Sequence, residues 1–543
     1  MPNRNHLRII ADKQLEESGA VRFNYGFGDI ENENDREPDY FFMAQGFREN
    51  LNKYRNDLEA KIAVKDQNIE VPYDIDYIEI DFLGQFNIEK FYTIWFNTFG
   101  LEGVSFRKFN RTGLFSISDR EKFHVFISSI EALIEKGIDG NNDAQYSNNI
   151  LYIKNFKLLT LNDVLKVSVD SLGNVVTLKT IELPASTEVE NSIIAALEGY
   201  FDDNAISYII DREGNRIELY DVTIEQLIII ASNFDVIESI TSTLSSIVRP
   251  GTFNVVERDY GFEIVNSGED LPLIGIVDTG ISMQTPLAAI TLQDETFTLD
   301  GNPLIDTCDR DGHGTMVGAL AALGKSNHLN GFDGEVNADA KLLSIKLFGN
   351  GNGYLSEKKI IDMLYRAKAT YPNLSIFVLT ICFNNPKKTN EAFSNYTYEL
   401  DKFAHKTDSL VFISTGNNNN SKNENTDYDL GYFNNEHTNL STPADSMNNI
   451  TIGAAADGLY DGVFQGISMG KEFPAIYSRK DHVDLEALTP ASKPNKNLFK
   501  PDVLESGGDY GFYSPGIIDH MDNAAMSVLS ANPAFGYTKQ VGT

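Results

Sequence analysis

Cysteine is almost absent from this sequence of 543 residues, which contains only Cys308 and Cys382. The two lie in different segments, so they suggest no disulfide framework of the kind that small secreted domains depend on. No apolar run approaches the roughly 18 residues that a membrane helix needs. The start, Met1–Ile10, does not resemble a signal peptide. These absences predict a cytoplasmic protein, or one exported by a route that the sequence does not show.

Basic residues are also scarce, since 45 Lys and Arg face 78 Asp and Glu and the formal net charge is −33. Such an excess of negative charge repels nucleic acid and anionic lipid, so neither is an expected partner. Its simplest consequence is solubility. The apolar content of 42% is ordinary for a globular protein. The chain is too long to fold around a single hydrophobic core, so about two to four domains are expected.

The N-terminal half predicts α+β modules. Residues 1–70 are polar and charge-rich, and we expect a loosely structured lead there with one helix near 44–62. In residues 71–160 the spacing of the apolar residues changes between that of a strand and that of a helix. The resulting order is β-α-β-β-α-β, which is the ferredoxin-like arrangement. The same order recurs over 161–250, where Thr187 and Glu190 could form a helical capping box and a second helix starts at Thr223. The sequence therefore predicts two ferredoxin-like units.

The character of the sequence changes after residue 265. Apolar runs without alternation are typical of strands that are buried on both faces. Five occur, at Leu273–Val277, Leu342–Phe348, Ser375–Phe383, Leu410–Ser414 and Ile450–Ala455. Helical segments fall between them, near Gly314–Leu323, Ser356–Thr370 and Asn390–His405. This alternation predicts an α/β domain over 265–543 with a parallel sheet, helices on both faces and its chemistry at the carboxyl ends of the strands.

Three polar motifs follow these runs. Asp278 ends the first strand in Asp278-Thr279-Gly280, and His313 opens a helix 35 residues later between two glycines. Asn417 follows Leu410–Ser414 and a glycine. Each has a simpler interpretation: a common β-turn, a structural histidine, and the start of the flexible loop Asn417–Asn420. Together, the aspartate and histidine motifs are far from chance.

In combination these motifs resemble those of the subtilisin-like serine peptidases. Asp278-Thr279-Gly280 matches the D-[ST]-G motif of that family, and the segment from His313 to Gly318 matches H-G-T-x-V-x-G. Leu410–Asn417 resembles the strand and Gly-Asn pair that present an oxyanion-binding asparagine, although Thr415 stands where alanine is usual. The resemblance covers about half of the chain. It implies a serine endopeptidase with a subtilisin-like fold, cleaving protein or peptide substrates without a required cofactor.

The resemblance also assigns roles. His313 would be the general base, Asp278 would orient it, and Asn417 would bind the oxyanion. The nucleophile is missing, because the chain ends in Gly542-Thr543 and the family motif G-T-S-x-A-x-P places the serine next. We therefore expect the chain as given to be an inactive fragment of a protease. The alternative is a pseudoprotease that uses the same cleft to bind peptides or to act as a scaffold.

The substrate cleft has a counterpart in the sequence as well. Gly351, Asn352 and Gly353 resemble the G-x-G segment whose backbone pairs with extended substrate, with Leu355 near a pocket for an apolar side chain. The other side would be lined by Thr380, Ile381 and Cys382, the last two standing near a usual Leu-Gly. A flexible turn is the alternative for the glycine segment.

The family resemblance extends to regulation. Residues 161–250 resemble a subtilase pro-domain whose tail, Thr241–Pro250, would lie extended in the cleft; the alternative is an ordinary α+β domain with a linker. A further alternative makes the N-terminal half an adaptor or sensor with the protease as its effector. The chain also resembles bacterial subtilases with long N-terminal extensions that are encoded beside an AAA-type ATPase, which implies such an ATPase as a regulatory partner. Many relatives bind structural calcium, but no defensible ligand spacing joins the acidic loop residues Asp294, Glu295, Asp300, Asp306, Asp309 and Asp311.

Overall fold

The structure of the protein is a computed structural model. It describes residues 39–83, 95, 97–107, 111–140, 145–167, 172–183, 187–212, 215–242, 244–246, 251–253, 262–268, 270–292, 297–299, 307–309, 312–324, 334–347, 352–418, 428–456, 464–470, 473–484, 499–513, 517–522, 528–532 and 536–541. These residues fall into two compact units, one spanning Arg22–Ser242 and the other consisting chiefly of Thr243–Thr543. The predicted modules 71–160 and 161–250 belong to the first unit as far as Ser242, residues 243–250 belong to the second unit, and the division at residue 160 stays a proposal.

The first half of the N-terminal unit contains the elements α1 (Tyr40–Val64), β1 (Tyr77–Phe82), β2 (Leu101–Arg107), β3 (Thr112–Ile117), α2 (Arg120–Asp139) and β4 (Ile153–Leu158). The strands form a four-stranded antiparallel sheet with the order β2-β3-β1-β4. Residues 95 and 97–99, between β1 and β2, are helical. This is the ferredoxin-like order expected from the sequence. The helix expected near 44–62 is α1, and its Phe47 and Leu51 pack into the core beside Trp95 and Phe126.

The second half contains the elements α3 (Leu161–Val164), β5 (Val175–Thr180), α4 (Thr187–Asp203), β6 (Ser207–Asp211), β7 (Arg216–Tyr220), α5 (Ile224–Asn233) and β8 (Ile237–Thr241). It repeats the arrangement of the first half, with the strand order β6-β7-β5-β8. The capping box expected of Thr187 and Glu190 is replaced by bonds to Leu183: the Thr187 hydroxyl donates to its carbonyl at 3.4 Å, and the Glu190 carboxylate accepts from its N–H at 2.7 Å. A capping box is present instead at the start of α5, where Gln226 N donates to the Thr223 hydroxyl and Thr223 N donates to the Gln226 side chain. The apolar residues alternate as the strand and helix periods require, and they form one core.

The C-terminal unit is built on a seven-stranded sheet. The described strands of the unit are β9 (Leu244–Ser246), β10 (Gly251–Phe253), β11 (Phe262–Ile264), β12 (Leu273–Asp278), β13 (Thr291–Leu292), β14 (Gly334–Val336), β15 (Lys341–Lys346), β16 (Asn352–Tyr354), β17 (Ile376–Leu379), β18 (Cys382–Phe383), β19 (Leu410–Ser414), β20 (Ile450–Ala455), β21 (Phe464–Gly466), β22 (Val503–Ser506), β23 (Tyr510–Tyr513), β24 (Ile517–Asp522), β25 (Val528–Asn532) and β26 (Gly536–Val541). The strand order in the seven-stranded sheet is β13-β15-β12-β17-β19-β20-β22, and every pairing in it is parallel. The described helices are α6 (His313–Leu323), α7 (Glu357–Thr370) and α8 (Asn395–Thr407).

Helices cover both faces of this sheet, as the unbroken apolar runs predict. Consecutive residues of β12 point to opposite faces, so Val277 joins the core formed with α7 and α8, whereas Ile276 joins the core formed with α6. Several boundaries differ from the expectation by one or two residues, and two segments differ more clearly. The run Ser375–Phe383 divides into β17 and β18, and α8 begins at Asn395 because the Ser394 hydroxyl caps it by accepting from Thr397 N. Among the residues that the structure describes, no helix is both long and apolar enough to cross a membrane.

Candidate active site

Asp278 is the last residue of β12 and is completely buried. Its Oδ1 accepts from the backbone N–H of Thr279 at 2.7 Å, and its Oδ2 accepts from the hydroxyl of Thr380. Nδ1 of His313 lies 3.0 Å from Oδ1 and 2.9 Å from Oδ2. Burial raises the pKa of Asp278, but the neighbouring His313 and these hydrogen bonds lower it by more. The pKa of Asp278 is therefore below its ordinary value. Asp278 is therefore a carboxylate at neutral pH.

His313 is the first residue of α6, and its side chain is 12% exposed. The helix starts here because Gly312 adopts a left-handed conformation, with φ 96°, just before it. The residue after His313 must also be glycine, because a Cβ on Gly314 would lie 2.1 Å from the carbonyl oxygen of Gly280. This contact packs the start of the histidine helix directly on the turn after Asp278. Because a carboxylate only accepts, Nδ1 of His313 carries the hydrogen, and Nε2 of the neutral ring is left to accept a proton.

A second buried carboxylate, Asp309, ties the same two segments together. Its Oδ1 accepts from the Thr279 hydroxyl at 3.1 Å and from Gly312 N at 2.9 Å. Its Oδ2 accepts from the backbone N–H of Thr315 at 2.8 Å and from the Thr315 hydroxyl at 2.6 Å. One side chain thus fixes the turn after β12 and the first turn of α6. Asp309 therefore helps to orient the aspartate–histidine pair.

The carboxyl ends of three neighbouring strands bring the remaining polar groups to one edge of the sheet, since β12, β17 and β19 are adjacent and parallel. Thr380 follows β17, where its hydroxyl donates to Asp278. Asn417 follows β19 after Gly416, whose φ is 78°. Asn417 and Asn418 are both buried, and the backbone N–H of Asn418 donates to a carbonyl at 2.8 Å. Asn417 and Asn418 are thus buried, whereas Asn419 and Asn420, the rest of the loop that is the alternative, lie outside the described residues.

The predicted cleft contains a three-stranded antiparallel sheet, β16-β9-β18. In it the backbone of Ser245 lies opposite Gly353 on one side and Phe383 on the other. A segment from the predicted tail 241–250 thus forms the central strand, and the backbones of Asn352 and Cys382 flank it. Of the other predicted cleft residues, Gly351 lies outside the described residues.

Two further predicted cleft residues have side chains in the core of the unit. Ile381 is buried there, and Leu355 packs against the same core. Both therefore position the cleft strands by packing beneath them. The neighbouring Cys382 is buried as well, which raises the pKa of its thiol to about 12, and the protonated Sγ donates to the Ser414 carbonyl at 3.1 Å. The thiolate is the reactive form of cysteine, so Cys382 is not suited to nucleophilic catalysis.

This arrangement agrees with the comparison with known families. A family model described as the subtilase family matches residues 270–543, just over half of the chain. The chain belongs to the subtilase family of serine peptidases. No curated protein matches the sequence.

Solved structures of other subtilases resemble this one at low identity. One is the epidermin leader peptide processing serine protease from Staphylococcus aureus, with 14% identity, coverage of 68% of this chain and 84% of that one, and a TM-score of 0.40. Another is fervidolysin from Fervidobacterium pennivorans, a keratinolytic enzyme related to subtilisin, with 14% identity, coverage of 70% and 54%, and a TM-score of 0.37.

Two polar residues in this subtilase have contacts that the sequence does not indicate. The sequence groups Asp309 with acidic loop residues, of which Asp294, Glu295, Asp300, Asp306 and Asp311 lie outside the described residues. It assigns Thr380 to the substrate cleft, and the structure also places its hydroxyl on Asp278. The feature of the sequence that could have indicated the role of Asp309 is its position four residues before His313. In the part of the chain that the structure describes, no group of three or more His, Cys, Asp or Glu is arranged to hold a metal.

Proposed function

We propose that the full-length protein is a serine endopeptidase that hydrolyses peptide bonds through a Ser/His/Asp triad. The observation that carries this proposal is the buried Asp278 carboxylate, with Nδ1 of His313 lying 2.9 and 3.0 Å from its two oxygens. In the proposed mechanism His313 takes the proton of the serine hydroxyl as a general base and returns it to the leaving amine as a general acid. Asp278 holds the ring in the required tautomer and stabilises its cation.

The serine is expected immediately after Thr543, because Gly542-Thr543 matches the start of the family's nucleophile motif. Its hydroxyl attacks the substrate carbonyl, and the developing oxyanion is stabilised by the side-chain amide of Asn417 and the backbone N–H of the serine. Collapse of this intermediate releases the amine and leaves an acyl-enzyme. Water, activated by His313, then hydrolyses the ester and regenerates the serine.

This proposal predicts covalent labelling by a fluorophosphonate probe. The protein should be made from the complete coding sequence, and the adduct located by mass spectrometry of its peptides. We expect serine directly after Thr543 and one adduct on it, because a general base activates that hydroxyl. Any other residue at that position would remove the protease proposal and favour a pseudoprotease that binds peptides in the same cleft.

We further propose that the N-terminal region restrains this protease through β9. The support is the backbone register: β9 is the middle strand between β16 and β18, the position that an extended peptide substrate would take by strand addition. A cleft occupied in this way is closed to other peptides until the strand leaves. Residues 161–250 are accordingly proposed to be a regulatory domain whose tail is a substrate-like inhibitor.

Replacing Ser245 by proline tests this restraint. Proline removes the backbone N–H and cannot occupy the interior of a sheet without loss of pairing. Each lost hydrogen bond weakens the pairing by about 0.5–1.5 kcal/mol, and steric conflict adds to this, so the strand should leave the cleft more often. We expect peptide hydrolysis by the full-length protein to rise about tenfold, which corresponds to about 1.4 kcal/mol. The measurement is the initial rate on an unstructured fluorogenic peptide mixture.

Ser245→Ala is the matched control for this variant. It changes the same residue but keeps the backbone N–H, so its basal rate should stay near that of the wild type. Both variants should reach the same extent of fluorophosphonate labelling at saturation, which separates release of the cleft from a change in the triad. Equal basal rates for Ser245→Pro and the wild type, with the fold intact, would contradict the proposed restraint.

A further inference from the structure

Arg479 is a buried arginine in the C-terminal unit, with 4% of its surface exposed. Its guanidinium binds backbone carbonyls from three separate segments. Nη1 donates to His437 at 3.1 Å and to Asn439 at 2.8 Å, whereas Nη2 donates to Asn417 at 3.2 Å and, at the longer distance of 3.4 Å, to Asn384. One planar group therefore joins the end of the cleft strand β18, the loop that carries Asn417, and the segment around residue 438.

Within the described residues, no carboxylate forms an ion pair with Arg479. Burial lowers the pKa of Arg479 to about 10, so the guanidinium still carries its charge at neutral pH. That charge is solvated by carbonyl dipoles, one of which belongs to Asn417 itself. Burying a cation among carbonyl groups is unfavourable for folding, and among the described residues Arg479 has no counter-ion, which argues that this side chain does more than fill space.

The backbone near Asn417 lies closely against this group. Gly416 adopts a left-handed conformation, and a Cβ at this glycine would lie 3.6 Å from Nε of Arg479. The chain that carries Arg479 is itself held in place, because Leu440 N donates to the carbonyl of Lys480 and Lys480 N donates to the carbonyl of Thr438. The Asn417 backbone is consequently held by a segment that is itself fixed by backbone hydrogen bonds.

We propose that Arg479 is a positioning residue for the oxyanion site: it holds the Asn417 backbone and keeps a positive charge beside the place where negative charge develops. This inference rests on the proposed protease function. A guanidinium supplies its donors in a planar fork that matches several carbonyls at once, so lysine replaces the charge but not the geometry. The attraction between the guanidinium charge and the oxyanion strengthens as negative charge develops. Arg479 is therefore expected to affect turnover more than substrate binding.

The test compares Arg479→Met and Arg479→Lys in the full-length protein. Methionine has a long side chain without charge or donors. We expect Arg479→Met to lower kcat about 10- to 100-fold, less than the roughly 10²–10³-fold effect of removing an oxyanion donor itself, while KM changes little. Arg479→Lys should recover part of the loss. Inhibition by a peptide aldehyde, which forms a tetrahedral adduct with the serine, should weaken by the same factor as kcat, whereas binding of the corresponding peptide amide should not.

Lys500→Met is the control, because Lys500 is another buried cation of this unit, and it donates to the Asn449 carbonyl and to the Asp502 carboxylate, not to the Asn417 loop. Lys500→Met should lower thermal stability, and it should not weaken the binding of the aldehyde relative to that of the amide. An unchanged kcat in folded Arg479→Met, or a parallel loss of aldehyde and amide binding, would overturn the positioning role. A wild type that neither hydrolyses peptides nor reacts with the fluorophosphonate would overturn the protease function itself, and the role of Arg479 with it.

Discussion

Replacing His313 by alanine in the full-length protein is expected to lower kcat about 10⁶-fold, the scale found when the base is removed from subtilisin. The reason is geometric. Nδ1 of His313 is held by both carboxylate oxygens of Asp278, and Asp309 fixes the first turn of the helix that carries the ring. Alanine leaves no group there to accept a proton. Without the base the serine hydroxyl stays protonated, and its attack on the substrate becomes very slow.

The measurement is hydrolysis of a fluorogenic peptide at high enzyme concentration, together with the rate of fluorophosphonate labelling. Both should fall, since both require the activated hydroxyl. His124→Ala is a suitable control, because His124 is an exposed residue of α2 in the N-terminal unit. It should keep the activity of the wild type. Hydrolysis by His313→Ala within about tenfold of the wild type would show that another group is the base.

The pKa of Asp278 bears on the pH range of this chemistry. Although burial opposes ionisation, the neighbouring His313 and the hydrogen bonds to the carboxylate leave the pKa of Asp278 below its ordinary value. A carboxyl whose pKa is lowered on folding stabilises the folded state above its unfolded pKa of about 3.9, and that stabilisation is lost as the pH falls through the folded pKa. Asp278 therefore remains ionised throughout the neutral range, and it does not limit activity there.

The sheet could be predicted largely from the sequence, because strands that are buried on both faces leave continuous apolar runs. The bounds of β19 and β20 agree with the predicted Leu410–Ser414 and Ile450–Ala455. Two edge strands gave no such signal. Thr291–Leu292 is only two residues long, and in Val503–Ser506 the first three residues are exposed. At an edge the chain pairs through its backbone, so the side chains carry little information about the strand.

The same division applies to the site. Asp278 and His313 could be found because each lies in a local motif with glycines that the close packing requires. Arg479 could not be found in this way, because its acceptors lie between 40 and 95 residues away in the chain and are backbone carbonyls, which every residue has. The contacts of Asp309 escape prediction for a related reason. A carboxylate that accepts from backbone N–H groups resembles any acidic loop residue until folding brings those groups to it.

Replacing Asn417 by alanine should lower kcat about 10²–10³-fold and leave KM nearly unchanged, as removal of one oxyanion donor does. The triad stays intact in this variant, so a measurable rate remains and fluorophosphonate labelling continues more slowly. The simpler interpretation, in which Asn417 only begins an asparagine-rich loop, predicts almost no change. Steady-state kinetics on one peptide substrate easily resolves a difference of this size.

Asn418→Ala is the control that makes this comparison sharp, because Asn418 is the next residue and is also buried. Its side chain donates to the hydroxyl of Tyr432 at 2.9 Å, so alanine there removes a hydrogen bond and lowers stability without removing the proposed oxyanion donor. We expect Asn418→Ala to lose thermal stability and keep kcat, and Asn417→Ala to lose kcat. If both variants lose activity only in proportion to their unfolded fraction, Asn417 is a structural residue of the loop and the oxyanion must be bound by other donors.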